Sequence, residues 1–144
     1  MSSAVPSLLH ATSVAVEGRG LLIRGASGTG KSALAMELIA LGARLVADDR
    51  TELHRRGDTV MLRCPQAISG LIEARGIGIL RVGPVSDVPL CAIVDLDAVE
   101  TERLPPERHA ECLGLSFPLL HKVDAPYFTA GILTYMRQEM WEGP

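Results

Sequence analysis

Leu21-Leu22-Ile23-Arg24-Gly25-Ala26-Ser27-Gly28-Thr29-Gly30-Lys31-Ser32-Ala33-Leu34 joins an apolar run, a glycine-rich octet and the start of a helix-like pattern. The octet Gly25, Ala26, Ser27, Gly28, Thr29, Gly30, Lys31, Ser32 fits GxxxxGK[ST] at every required position. Each required residue type has a physical task. Glycines let the backbone take conformations that a side chain would block, so successive N–H groups can converge on phosphate oxygens. The helix that follows adds unpaired donors and its positive dipole end. Lys31 supplies a mobile charge for the β- and γ-phosphates of a nucleotide, and Ser32 a hydroxyl for Mg²⁺. Leu34, Leu38 and Leu41 recur at helical spacing, so a helix is predicted over 32–41, with Gly42 as its stop. Strand, phosphate loop (P-loop) and helix in succession predict an α/β nucleotide-binding fold.

Before the octet, residues 10–16 and 21–24 read as two strands of a hairpin around Glu17-Gly18-Arg19-Gly20. With Gly18-Arg19 as the turn, paired residue numbers sum to 37 and His10 faces Ser27 inside the loop. After the helix, Arg44-Leu45-Val46-Ala47 reads as a short strand running into Asp48-Asp49. If this strand joins the same sheet by a right-handed crossover, its end lies on the phosphate edge. Two adjacent carboxylates are costly there unless a cation or a proton relieves them, so Asp48 is a candidate metal ligand. Asp95, at the end of the apolar run Leu90-Cys91-Ala92-Ile93-Val94, competes for the same role. Residues 51–54 and 59–63 flank Arg55-Arg56-Gly57-Asp58 as a second hairpin. Residues 104–114 read as a loop. A last helix is predicted from Asp124-Ala125-Pro126, with Phe128, Ile132, Tyr135 and Met136 as its apolar stripe.

The chain has 144 residues, 47% of them hydrophobic and 3% aromatic, which predicts one globular domain with an aliphatic core. Residues 1–8 are expected to be flexible and 9–144 to form the domain. The formal net charge is -3 and no basic stretch is present, so nucleic acid is not an expected partner. No run of about 20 apolar residues exists, so no membrane span is expected and a cytoplasmic location is. Cys64, Cys91 and Cys112 contain no CxxC pair and read as small free thiols.

The ordered set of motifs resembles the catalytic domain of the bacterial HPr kinase/phosphorylase family. Four features carry the resemblance: His10 fifteen residues before Gly25, the P-loop, Arg44-Leu45-Val46-Ala47-Asp48-Asp49-Arg50, and Ile72-Glu73-Ala74-Arg75-Gly76-Ile77-Gly78-Ile79. The resemblance implies a P-loop fold with a mixed central sheet, a β-hairpin leading into the P-loop and a C-terminal helix. It implies an ATP- and Mg²⁺-dependent kinase that phosphorylates a serine on the phosphocarrier HPr or a paralogue, and it brings the reverse phosphorolysis with it. Carried over, Asp49 is the base, His10 assists, Lys31 binds the transferring phosphoryl group, Ser32 and Glu73 hold the metal, and Arg103 corresponds to a catalytic arginine. Relatives form hexamers, so a homo-oligomer is implied. The chain departs from the family at Ala26 and Ala33, which stand where acids are common. In Phe117-Pro118-Leu119-Leu120-His121-Lys122-Val123, only Pro118 and Lys122 match a basic, proline-flanked segment tied to dephosphorylation. Kinase activity is therefore the primary expectation, in a short form without the family's N-terminal domain.

Two other readings use the same residues. One is a small-molecule P-loop kinase with Asp95 as metal aspartate, although no arginine-rich lid segment is present. The other is a non-catalytic ATP-sensing interaction module. A GTPase is disfavoured because no NKxD string exists to read guanine.

Overall fold

The computed structural model describes residues 7–137. Its centre is a hairpin of β2 (Thr12–Val16) and β3 (Arg19–Arg24), which delivers the chain into the P-loop and α1 (Lys31–Ala40). The hairpin turn is Glu17-Gly18, both left-handed at φ 51 and 80, and Val16 pairs with Arg19. Two left-handed central residues are what a two-residue turn matched to strand twist requires. The turn thus sits one residue earlier than the sequence suggests, and paired numbers sum to 35 rather than 37. The ladder ends at Thr12–Ile23, so His10 is not paired across from Ser27.

α1 ends as expected. Gly42 takes φ 111, its N–H donates to the Ile39 carbonyl and the Ala43 N–H to the Leu38 carbonyl, both at 3.0 Å. That double bond closes the free carbonyls of the last turn, and only a residue tolerant of left-handed φ fits there. Leu34, Ala35 and Leu38 are buried, while Leu41 caps the helix and is exposed.

The chain then enters β4 (Arg44–Ala47), β5 (Thr51–Arg56) and β6 (Thr59–Arg63), with Gly57-Asp58 as the turn of the second hairpin. β7 (Leu71–Ala74) and β8 (Gly78–Arg81) form a separate two-stranded hairpin. β9 (Val88–Val99) is far longer than the predicted strand, running through Asp95 and Asp97. Residues 109–112, read as loop, are instead β10 (His109–Cys112), paired with β11 (Leu115–Lys122). α2 (Phe128–Arg137) buries Ile132, Leu133 and Met136, and starts two residues after Pro126. At the other end, β1 (Ser7–Leu9) pairs with β5, so the described part of the segment expected to be flexible is a strand. Residues 1–6 of that expectation lie outside the described residues.

The main sheet runs β1-β5-β6-β9-β3-β2-β4, with β11 and its partner β10 branching from β9. It is mixed: β3 and β11 run parallel to β9, and the hairpins antiparallel. Side-chain alternation splits its apolar residues between two cores. Val14, Leu21, Ile23, Leu45 and Val94 pack with α1 and α2. Ala15, Leu22, Val46 and Ile93 point the other way, onto Leu53, Val60, Leu62 and Phe117. The sheet curls to enclose this second core, and the Ser13 and Thr51 hydroxyls meet at 2.9 Å across the fold. Burial on both faces explains the unbroken apolar runs Val14-Ala15-Val16 in β2 and Leu21-Leu22-Ile23 in β3. Among the described residues no helix is long and apolar enough to cross a membrane.

Candidate active site

β2 runs antiparallel to both β3 and β4, so β3 and β4 point the same way. Their C-terminal ends therefore share one edge of the sheet, as expected, and this places Asp48-Asp49 beside the P-loop. Ser32 Oγ donates to Asp48 Oδ1 at 2.6 Å. Thr12 Oγ1 donates to the same oxygen at 3.2 Å, and the Glu73 N–H donates to Asp48 Oδ2 at 3.1 Å. One carboxylate thus ties together β2, α1 and the β7–β8 hairpin.

The neighbouring Asp49 differs in every respect. It is exposed, it takes a left-handed φ of 68, and its N–H donates to Thr12 Oγ1 at 3.1 Å. A non-glycine residue held in that conformation costs about 1–2 kcal/mol, and Thr12 and the strand end hold it there. Asp48 is committed to the scaffold, and Asp49 lines the open cleft. Thr12 is fully buried and serves both aspartates, yet nothing in the sequence marked it. The two hydroxyl residues Thr12-Ser13 at the head of the apolar Val14-Ala15-Val16 were the available signal.

Lys31 is nearly buried, and its Nζ donates to the carbonyls of Gly25 at 2.9 Å and Ala26 at 3.3 Å. Gly25 cannot carry a side chain, since a Cβ there would lie 2.6 Å from Thr29 Oγ1. The Ala26 N–H donates to Asp97 Oδ1 at 3.0 Å, so the long β9 buttresses the start of the loop. Asp97 was missed because the sequence reading ended this strand at Asp95.

Lys31, Ser32, Asp48, Asp49 and Glu73 all line one cleft of about 520 Å³. Arg75, from the same hairpin as Glu73, adds a cation to its rim. Ser32 Oγ and the Glu73 and Asp48 carboxylates are hard oxygen donors. Mg²⁺ takes few protein ligands and keeps waters and phosphate oxygens, so this set fits that ion. Asp48 already accepts three hydrogen bonds, which suits it to orienting Ser32. Among the described residues no group of three His, Cys, Asp or Glu side chains converges as a self-sufficient metal site.

Two expected site residues are not brought together with these. His10 is exposed at the corner between β1 and β2 and does not line the cleft. Arg103 is exposed on the loop after β9. That loop is anchored by Glu100, which accepts the Thr101 and Glu102 N–H groups and two bonds from Arg108 at 3.0 Å. These bonds, Arg108's foremost, pull the Glu100 carboxyl down from 4.5 to about 2. Asp95 is also outside the cleft: Arg24 pairs with it at 3.4 Å and the Asp97 N–H donates to it at 2.8 Å. Cys64 is no rival nucleophile, because burial and the charges of Glu52 and Asp48 push its thiol up to about 11.

Comparison with known proteins gives the family and the fold. Residues 2–86 match the model of the HPr serine kinase C-terminal domain. The chain belongs to this family. It is 47% identical over 75 residues to an HPr kinase/phosphorylase of Exiguobacterium sibiricum, covering 51% of this chain and 24% of that one. To the HPr kinase/phosphorylase of Halalkalibacterium halodurans it is 40% identical over 98 residues, covering 61% of this chain and 32% of the relative. The chain thus spans about a quarter to a third of the length of these relatives. The solved structure of the Hpr(Ser) kinase/phosphatase from Coxiella burnetii superposes with a TM-score of 0.77 at 26% identity, over 91% of this chain and 88% of that one. The structural likeness therefore reaches well beyond the matched residues 2–86.

Removing the Asp48 carboxylate would leave the proton of the buried Thr12 hydroxyl, the Ser32 hydroxyl and the Glu73 N–H without their acceptor, although Thr12 Oγ1 would still accept the Asp49 N–H. Asp48→Ala is expected to cost about 1–3 kcal/mol of stability. Urea denaturation should show a lower midpoint with an unchanged slope. An unshifted midpoint would mean that Asp48 does not hold these elements together.

Proposed function

We propose that this protein transfers the γ-phosphoryl group of ATP to a serine of HPr or an HPr paralogue. The carrying observation is the split between its adjacent aspartates. Asp48 is bound to Ser32, Thr12 and the Glu73 backbone, while Asp49 faces the cleft with its side chain free for chemistry. A serine hydroxyl is a poor nucleophile until a base accepts its proton. In this reading Asp49 takes that proton as the serine oxygen bonds to the γ-phosphorus and the bond to the ADP oxygen breaks.

The loop amides of residues 25–32 and the Lys31 ammonium hold the triphosphate and offset the charge that spreads over the transferred group. Ser32 and Glu73 would hold Mg²⁺, with Asp48 orienting Ser32; the ion, when bound, neutralises phosphate charge. His10 and Arg103 belong to this proposal only as the assisting residues that the family resemblance implies. HPr as partner, a cytoplasmic setting, one domain over 9–144 and assembly into a hexamer belong to the same reading. Phosphorolysis of the phosphoserine is a secondary part of it.

The test is incubation of the protein with γ-labelled ATP, Mg²⁺ and purified HPr-type proteins. The expected result is label on a serine of one of them, removed by excess inorganic phosphate if the reverse reaction operates. A protein that binds ATP and never labels any HPr would instead be a nucleotide sensor.

A further inference from the structure

Among the described residues four polar or charged side chains are buried: Thr12, Ser13, Lys31 and Thr51. Lys31 belongs to the phosphate site. The other three are hydroxyls with no exposed surface, and they meet where β2 begins and β4 gives way to β5. Burying a hydroxyl costs free energy unless a partner satisfies it. All three are satisfied. The Thr51 hydroxyl donates to the Ala11 carbonyl at 2.9 Å; with its one proton spent there, it accepts from Ser13 Oγ at 2.9 Å. Thr12 Oγ1 donates to Asp48 Oδ1 and accepts the Asp49 N–H. Residues 11–13 thus grip both ends of the connection 48–51, which carries the two aspartates.

The strand leading into that connection is shaped for the grip. Ser13 pairs with Ala47 and Val14 with Leu45, which leaves Val46 as an extra residue in β4. Leu45 accordingly faces the first core, while Val46 and Ala47 both face the second. A one-residue bulge moves every side chain after it to the opposite face. Unbroken alternation would put Asp48 on the side of Val46. The bulge puts it on the side of α1, where it meets Ser32 and Thr12. Asp49 follows at a left-handed φ of 68, which costs a residue with a side chain free energy unless its surroundings hold it there. The Thr12 hydroxyl suits that task, because one proton and one lone pair let it serve both neighbours at once: the proton goes to Asp48 and the lone pair takes the Asp49 N–H.

We propose that Thr12 is a positioning residue for phosphoryl transfer: its hydroxyl fixes the Asp49 backbone so that the carboxylate faces the cleft, and couples it to the Asp48–Ser32 pair at the start of α1. The inference rests on the reading of Asp49 as the base. The Ser13–Thr51 pair anchors the far end of the same connection. Loss of the Thr12 hydroxyl should therefore show as slower transfer with little change in nucleotide affinity. The loop 25–32 that holds the triphosphate makes no bond to Thr12, whereas a base misplaced by an ångström can cost about 10²-fold in rate.

The experiment compares Thr12→Val, which keeps the shape and removes both bonds, with Thr12→Ser, which keeps both. Single-turnover transfer from labelled ATP to an HPr-type protein and calorimetric ATP affinity are measured for each, alone and combined with Asp49→Asn. Thr12→Val should transfer about 10²-fold more slowly with ATP affinity within a few-fold of wild type, and Thr12→Ser should restore most of the rate. In the Asp49→Asn background the valine should cost no more than about twofold further, since residues acting through one another are not additive. Thr12→Cys, whose thiol is a weak acceptor of similar size, should show the same split and gives the reading if the valine variant does not fold. Normal transfer in the valine or cysteine variant, no rescue by serine, or a loss that multiplies in full onto Asp49→Asn would overturn the assignment. Full transfer in Asp49→Asn alone would overturn the base reading itself, and this one with it.

Discussion

Asp49→Asn should lower phosphoryl transfer to HPr by about 10²- to 10⁴-fold, the usual contribution of a positioned base, while ATP binding stays within a few-fold of wild type. The amide keeps the size and the left-handed tolerance of the position, since asparagine is among the few residues at ease there. The Asp49 N–H bond to Thr12 survives, because it is a main-chain bond. Only proton acceptance is lost. Single-turnover transfer from labelled ATP, with nucleotide affinity measured in parallel, separates the two. Full transfer activity in the variant would remove Asp49 from the mechanism. Equal loss of binding and transfer would recast it as a structural or metal-holding group.

Lys31→Ala is expected to cost about 10²- to 10³-fold in transfer, on the scale of deleting one electrostatic contact to the reacting group, and to weaken triphosphate binding as well. Lys31 is nearly buried and held over the loop by the carbonyls of Gly25 and Ala26. Its ammonium is thus the one cation fixed within the octet itself. Lys31→Arg should rescue little, because a planar fork does not occupy the place of a compact point charge in so enclosed a position. Steady-state kinetics of the three proteins, with circular dichroism as a folding control, checks this. Near-normal transfer in Lys31→Ala would place the phosphate site elsewhere.

The parts of this molecule that were legible in sequence are those whose signals are local. The glycine octet, the helix and its Gly42 stop, and the strand leading to Asp48-Asp49 each declare themselves within a dozen residues. The inference that β4 must end at the phosphate edge followed from connectivity and matches the Ser32–Asp48 bond. What escaped depends on partners distant in sequence. β9 continues through Asp95 and Asp97 because Arg24 pairs with the first and the Ala26 N–H meets the second, 71 residues back in each case. β10 is four residues of alternating exposure stabilised only by its pairing with β11, and its sequence has no period strong enough to show that. The register that placed His10 failed by a turn shifted one residue. In a hairpin a single-residue slip moves every cross-strand partner, so arithmetic from the turn is only as good as the turn.

The position of β9 in the sheet has a consequence for how this protein comes into being during synthesis. It separates β1-β5-β6 from β3-β2-β4, and among the described residues it is the strand that hydrogen-bonds to both groups. Residues 2–86, which carry the family match, stop just short of it. A nascent chain that has emerged only that far holds the complete phosphate loop and both aspartates, but as two sheet fragments with open edges at β3 and β6. Such edges are templates for pairing with other chains. The ribosome must deliver residues 88–99 before the two halves close into one sheet, so nucleotide binding should mature late. The interval before β9 arrives is when this chain is most exposed to misassembly.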